Sequence, residues 1–167
     1  MVDIVDVSTR SRMMAGIKGR NTKPEILIRK LLHKKGFRFR LHVKNLPGKP
    51  DIVLPKYKAV IFVNGCFWHG HKGCRLFKLP STRTEFWQEK ITKNQANDSK
   101  SINSLLVNGW RVGIVWECSI RGVTKDPDRV INIISEWLIR ALLHKDLKCK
   151  APLIEPNLRR NLGKWAT

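Results

Sequence analysis

The sequence predicts one α/β domain, a mixed sheet flanked by helices. Three observations predict it. Segments of helical and strand period alternate along the 167 residues in the order α-β-β-β-α-β-α. Apolar residues make up 42% of the chain, enough for a core at this length. Between the third strand and the second helix, "GCFWHGHKGC" (65–74) crowds two cysteines and two histidines into one loop.

Residues 1–21 read as a basic arm, with Arg10, Arg12, Lys18 and Arg20 among Met13, Met14 and Ile17. The domain itself runs over 22–144. "TKPEILIRKLLHKKG" predicts a helix: Thr22 and Glu25 fit a capping box, Pro24 suits the first turn and Gly36 the stop. Leu27, Ile28, Leu31 and Leu32 share one face. "FRFRLHVK" (37–44) alternates strictly, predicting a half-buried strand with Arg38, Arg40, His42 and Lys44 outward. Short strands follow at 51–54 and 59–63, separated by the turn "PKYK". "TRTE" (82–85) offers a second capping box for a helix ending near Asn108-Gly109, and "WRVGIVWE" (110–117) is an apolar strand. Asp126-Pro127 opens a last helix that buries Val130, Ile131, Ile134, Trp137, Leu138, Ala141 and Leu142. Residues 145–167 form a basic, weakly patterned tail.

Charge points to the partner. With 33 Lys and Arg against 13 Asp and Glu, the net charge of +20 favours a polyanion, nucleic acid first. No signal peptide and no run of about 20 apolar residues is present, so the expectation is a cytoplasmic protein without a membrane partner. In a reducing compartment four cysteines suit metal or free thiols better than disulfides.

Cys66, His71 and Cys74 form C-x4-H-x2-C, and Cys118 follows the late strand. Three thiolates and an imidazole suit tetrahedral Zn²⁺. The spacing admits His69 in place of His71. With His71 in the metal set, His69 is free for acid–base work near neutral pH. Cys149 is left over in the tail. In "PGKPDIVL", Asp51 opens a strand whose neighbour returns beside it, a place for a hard cation such as Mg²⁺. Alone, Asp51 reads as a turn end. Beside a basic arm and a braced histidine loop, it points to metal-assisted phosphodiester hydrolysis.

From about residue 8 to 140 the chain resembles the very short patch repair endonucleases. The likeness rests on "PGKPDIVLPKYKAVIFVNGCFWHGHKGCRLFKLPSTRTEFWQEKITKN" and "GWRVGIVWEC". It implies a restriction-endonuclease-like fold and a nick 5′ of the thymine at T:G mismatches in double-stranded DNA left by 5-methylcytosine deamination. It also implies bacterial, nucleoid-associated action, with mismatch-repair proteins and a cytosine-5 methyltransferase as partners; a single-strand nick needs only a monomer. Asp51 would hold Mg²⁺ with the Val63 carbonyl, His69 would be catalytic, and Glu25 would join the water network. Cys66, His71, Cys74 and Cys118 would hold structural Zn²⁺. One departure stands out: where family members often carry a second histidine, this chain has Asn64, which can bond water or phosphate but not shuttle a proton. The second carboxylate and lysine of typical restriction nucleases are also missing from the strand after Asp51.

Aromatics held in a braced loop can wedge between base pairs, at less cost where pairing is already weak. The resemblance gives this role to Phe67 and Trp68 with Trp87 beside them, and brings Met14 and Ile17 to the minor groove. Phe86, next to Trp87, is expected in the core. Arg10, Arg12, Arg38 and Arg40 would contact phosphates. The alternative is a zinc-containing DNA-binding module with weak or no activity, separated from the nuclease by Mg²⁺-dependent cleavage that Asp51→Ala abolishes while binding persists. An RNA-binding protein of ribosomal type would show no preference for a mismatched duplex.

Overall fold

The computed structural model describes residues 6–16, 19–121, 125–143 and 153–154. Its elements are α1 (Val7–Ala15), α2 (Lys23–Lys34), β1 (Ile52–Leu54), a 3-10 turn (Pro55–Tyr57), β2 (Ala59–Asn64), α3 (Thr84–Val107), β3 (Arg111–Trp116), the short α4 (Glu117–Ile120), α5 (Pro127–Leu143) and β4 (Leu153–Ile154). The sheet order is β1-β2-β3-β4. β1 runs antiparallel to β2, pairing Ile52 with Ile61, while β2 and β3 are parallel with Asn64 opposite Trp116. β4 pairs parallel to β3 through Ile114 and Val115, a strand inside the stretch expected to be a plain tail. The sheet is mixed and helices cover both faces, so the predicted α/β class holds.

Side-chain alternation decides which helix covers which face. Ile52, Leu54, Ala59, Ile61 and Val115 point to one side and pack with Ile28 and Leu32 of α2 and with Val130, Ile131, Ile134, Trp137 and Leu138 of α5. Val53, Val60, Val112 and Ile114 point to the other and meet Leu105 of α3, with Ile102, Trp110 and Trp116 around them. Each fully buried Ile or Leu contributes about 1.5–3 kcal/mol by leaving water. Gly113 lets the Trp137 ring approach β3: a Cβ there would lie 3.3 Å from it. Of the expected buried face of α5, the side chains of Ala141 and Leu142 lie outside the described residues. No helix among the described residues is long and apolar enough to cross a membrane.

Two expectations are corrected. Residues 37–44 are not a strand; they make one isolated bridge, Arg40 to Val53. His42 takes a left-handed conformation (φ 55°), which turns the chain and ends the alternation, so Phe37 is buried while Leu41 is 37% exposed. The second capping box does not form: α3 starts after Arg83 (φ 53°) with no side-chain cap, and the Thr84 hydroxyl donates to the Pro80 carbonyl instead. Part of the arm is helical, α1, and Asp6 caps it by accepting from the Thr9 amide at 2.8 Å. That bond, with help from Ser8 and the Thr9 hydroxyl, holds the Asp6 carboxyl down at about 2.

Candidate active site and metal centre

Antiparallel β1 and parallel β3 bring the start of β1 and the ends of β2 and β3 to one end of the sheet. The N-terminus of α2 reaches the same place. Between them opens a cleft of about 1270 Å³ lined by Glu25, Arg29, Asp51, Val63, Asn64, Trp68, His69 and Asp98 among others. Most of its chemistry-bearing groups thus come from element ends, where side chains need not pack into the core.

Asp51 accepts a hydrogen bond of 2.8 Å from the Val63 N–H. Burial raises its carboxyl from 3.8 to about 6; that bond opposes the rise, the Glu25 charge adds to it, and Arg29 and His69 oppose it. Glu25 is 4% exposed and closes the capping box, with Thr22 accepting from its amide and its own carboxylate accepting from the Thr22 amide. The same carboxylate accepts from the Asn21 amide at 2.9 Å and pairs with Arg29 at 2.8 Å. Arg29 also donates to the Asn21 side chain at 2.6 Å and reaches the Asp51 carbonyl at 3.4 Å.

His69 Nδ1 lies 2.6 Å from Asp98 Oδ2 on α3. An ionised carboxylate only accepts, so Nδ1 carries the proton and Nε2 is left as the acceptor. Asn94 donates to the Trp68 carbonyl at 2.9 Å, and Gln95 donates to the carbonyls of His69 and Gly70. Asn64 is buried at the end of β2 and faces the cleft.

Cys66, His71, Cys74 and Cys118 bring their ligand atoms within 4.8 Å of one another. His71 Nδ1 is 3.5 Å from Cys66 Sγ and 3.4 Å from Cys118 Sγ. Zn–S bonds of ~2.3 Å and Zn–N bonds of ~2.0 Å at tetrahedral angles would put N and S about 3.5 Å apart, so the donor set fits such an ion. The geometry therefore selects His71 for the cluster and leaves His69 in the cleft. Burial pushes the Cys66 thiol up to about 11 and raises the Cys118 thiol further, the latter helped by the neighbouring Cys66. The His71 ring stacks on Trp116, 4.1 Å between centroids and nearly parallel.

Beside the cluster, Phe67, Trp68 and Trp87 form a mutual edge-to-face group with centroids 5.2–6.0 Å apart. Phe77 joins through Phe67 at 6.4 Å. All four are half-buried. Phe86 is corrected: it is 41% exposed, with Arg83 4.5 Å over its ring, because α3 turns the side chain before Trp87 to solvent.

The profile for DNA mismatch endonuclease Vsr matches residues 2–75. The DNA mismatch endonuclease Vsr of Escherichia coli (strain K12) is 48% identical over 139 residues, 83% of this chain and 88% of that protein. The chain belongs to the Vsr family of DNA mismatch endonucleases. Two further relatives are type II nicking enzymes: V.XorIIP of Xanthomonas oryzae pv. oryzae and V.NmeAIP of Neisseria meningitidis. V.XorIIP is 45% identical over 80% of this chain and 98% of its own length. V.NmeAIP is 45% identical over 81% of this chain and 96% of its own.

For this member of the Vsr family, the structure brings Asp51, Val63, Asn64, His69 and Glu25 to one cleft and gathers the four expected metal ligands beside it. Phe67, Trp68 and Trp87 meet as expected. Arg38 and Arg40 are exposed, and Arg12 is exposed on α1 with a bond to Thr9. Arg10 and Met14 belong to α1, but their side chains lie outside the described residues, as do Ile17 and Cys149 entirely. Asp98, Arg29, Gln95 and Phe77 carry no signal in sequence. Asp98 sits in the polar run "NQANDSK", where nothing local marks it as the partner of a histidine 29 residues away.

Proposed function

We propose that this protein nicks one strand of double-stranded DNA on the 5′ side of the thymine at T:G mismatches. The observation that carries the reading is the meeting, in one cleft, of a buried carboxylate, an oriented imidazole and a half-buried aromatic group. A protein that only bound DNA would need neither Asp51 nor the His69–Asp98 pair. The relatives named as mismatch endonuclease and nicking enzymes point to the same reaction class. The sheet order and the placement of Asp51 at the start of β1 support a restriction-endonuclease-like core.

Asp51, with the Val63 carbonyl, would hold Mg²⁺, whose chemistry is to polarise the scissile phosphate and balance developing charge. His69, with Nε2 free as acceptor, takes a proton from the attacking water or, once protonated, returns one to the leaving oxygen. Asp98 fixes the tautomer and holds the ring against the cleft wall. Asn64 offers hydrogen bonds to water or phosphate without moving a proton. Glu25, held by Arg29 and the α2 cap, orders water in the cleft. Phe67, Trp68 and Trp87 enter the stack at the weakened pair, and arm cations including Arg12 with exposed Arg38 and Arg40 contact phosphates. Zn²⁺ in the Cys66, His71, Cys74 and Cys118 set would brace this loop against β3 and α4. The protein acts as a monomer in the bacterial cytoplasm, on DNA whose mismatches follow cytosine-5 methylation, ahead of repair synthesis.

The test is a strand-resolved denaturing gel with Mg²⁺, on one T:G duplex in a methylation-site context and its matched C:G control. A single cut on the thymine strand of the mismatched duplex alone is expected. Tight binding with no cut across several contexts would overturn the nuclease reading in favour of a binding module.

A further inference from the structure

His69 lies two residues from His71, one candidate base and one candidate metal ligand, and Gly70 is all that separates them. Gly70 is buried and left-handed (φ 61°). A Cβ there would lie 2.4 Å from Gln95 Nε2 and 2.7 Å from Ile91 Cγ2, so α3 packs directly on the loop backbone. Gln95 occupies that contact, and its one amide nitrogen donates to the His69 carbonyl at 3.3 Å and the Gly70 carbonyl at 3.1 Å. Three residues on, and so on the same side of α3, Asp98 holds the His69 side chain.

We infer that Gln95, working through the glycine pivot at Gly70, is a positioning residue that fixes the His69 backbone and so aims its imidazole into the cleft. The inference rests on the catalytic reading of His69. Physically it follows from two-point attachment. The Asp98 bond alone fixes Nδ1 but leaves the ring free to swing with the main chain. A second bond, to the carbonyl of the same residue, removes that freedom. The metal cluster anchors the chain at His71, beyond the pivot. The imidazole is therefore set from one helix and from one neighbouring cluster. Misplacing a reacting group by about 1 Å costs on the order of a hundredfold in rate.

Gln95→Met keeps the length and the packing against Gly70 and Ile91 while removing the donor. Gln95→Lys restores an N–H donor of similar reach. In the Met variant kcat for mismatch nicking should fall about tenfold to a hundredfold, with KM, duplex affinity, zinc per chain and Tm unchanged. The Lys variant should regain most of the rate. The ¹⁵N imidazole spectrum of His69 should be one sharp set in the native protein and broadened or doubled in the Met variant. Native kcat with an unaltered His69 spectrum in Gln95→Met would overturn the inference. So would a rate loss matched by lost zinc and lowered Tm, or one that the Lys variant does not recover. If the native protein nicks no mismatched duplex, the nuclease reading fails by itself, and the His69 spectrum still decides whether Gln95 orders the ring.

Discussion

His69 and Asp98 meet at 2.6 Å across 29 residues, and this contact ties the cysteine- and histidine-bearing loop to the middle of α3. Both side chains are about one third exposed, at 30% and 33%, so the pair is open to the cleft and adds little to stability through charge alone. Its consequence is orientation. Asp98→Asn can present an N–H to Nδ1, which moves the ring proton to Nε2 and removes the acceptor from the cleft. The single-turnover nicking rate should fall by about 10²- to 10⁴-fold with duplex affinity unchanged. A variant that cuts at the native rate would show that His69 does not act through this tautomer.

On the proposed Mg²⁺ role, Asp51 makes nicking pH-dependent. Its folded value of about 6 exceeds the unfolded 3.8, so the metal-free folded protein holds this proton more tightly than the unfolded chain. That contribution to stability is full below the unfolded value and is lost as pH rises through about 6; its size is at most about 3 kcal/mol. A divalent cation needs the ionised carboxylate and relieves its burial, so Mg²⁺ should raise Tm more at pH about 7.5 than at about 5. At subsaturating Mg²⁺ the nicking rate should fall up to about tenfold per pH unit below about 6. Thermal shift with and without Mg²⁺ across this range, beside Asp51→Asn, measures it. An equal Mg²⁺ effect at both ends, or one that survives in Asp51→Asn, would place the cation elsewhere.

What was legible in the sequence was local. The α2 cap reads directly because Thr22 and Glu25 are three residues apart and bond each other. The metal set reads from its thiols, although only the fold decides between His69 and His71, since both sit within reach of Cys66 along the chain. Alternation over 37–44 misled because a strand needs a partner as well as a period. The left-handed turn at His42 leaves only Arg40 paired. Phe86 misled because its helical phase depends on where α3 begins, and the expected cap at Thr82 does not form. Asp98 and Gln95 are invisible for a different reason: their partners lie across a β-α connection, and polar residues on an exposed helix carry no mark of that contact.

The cysteine cluster brings residues 66–74 beside Cys118 at the start of α4, so a metal held there would crosslink the loop to the end of β3. Burial raises the Cys66 and Cys118 thiols, which therefore stay protonated without a metal; binding one releases protons and couples metal affinity to folding. Cys118→Ser should lower zinc per chain and drop Tm by several degrees. Mismatch discrimination should be lost before duplex binding, because the aromatic group rides on the same loop. Metal analysis with thermal unfolding and competition binding tests this. Full zinc occupancy and native Tm in Cys118→Ser would remove Cys118 from the set.

Glu25 serves the α2 cap and faces the cleft, and two substitutions separate these roles. Thr22→Ala removes the hydroxyl that accepts from the Glu25 amide and donates to the Glu25 carboxylate at 2.8 Å, which Asn21 and Arg29 still hold, and should cost about 1 kcal/mol of stability. It leaves the Glu25 charge in place, so the nicking rate per folded molecule should hold. Glu25→Gln keeps a side chain able to bond the cap backbone but removes the charge opposite Arg29, which is 11% exposed. Weakening that charged hydrogen bond should cost about 1.5–3 kcal/mol, and the nicking rate should fall even where the protein stays folded. Urea unfolding alongside single-turnover cleavage distinguishes the two. If Glu25→Gln loses stability yet cuts at the native rate, Glu25 is a cap and an Arg29 partner only, and the ordering of water in the cleft passes to Asn64 and Asp51.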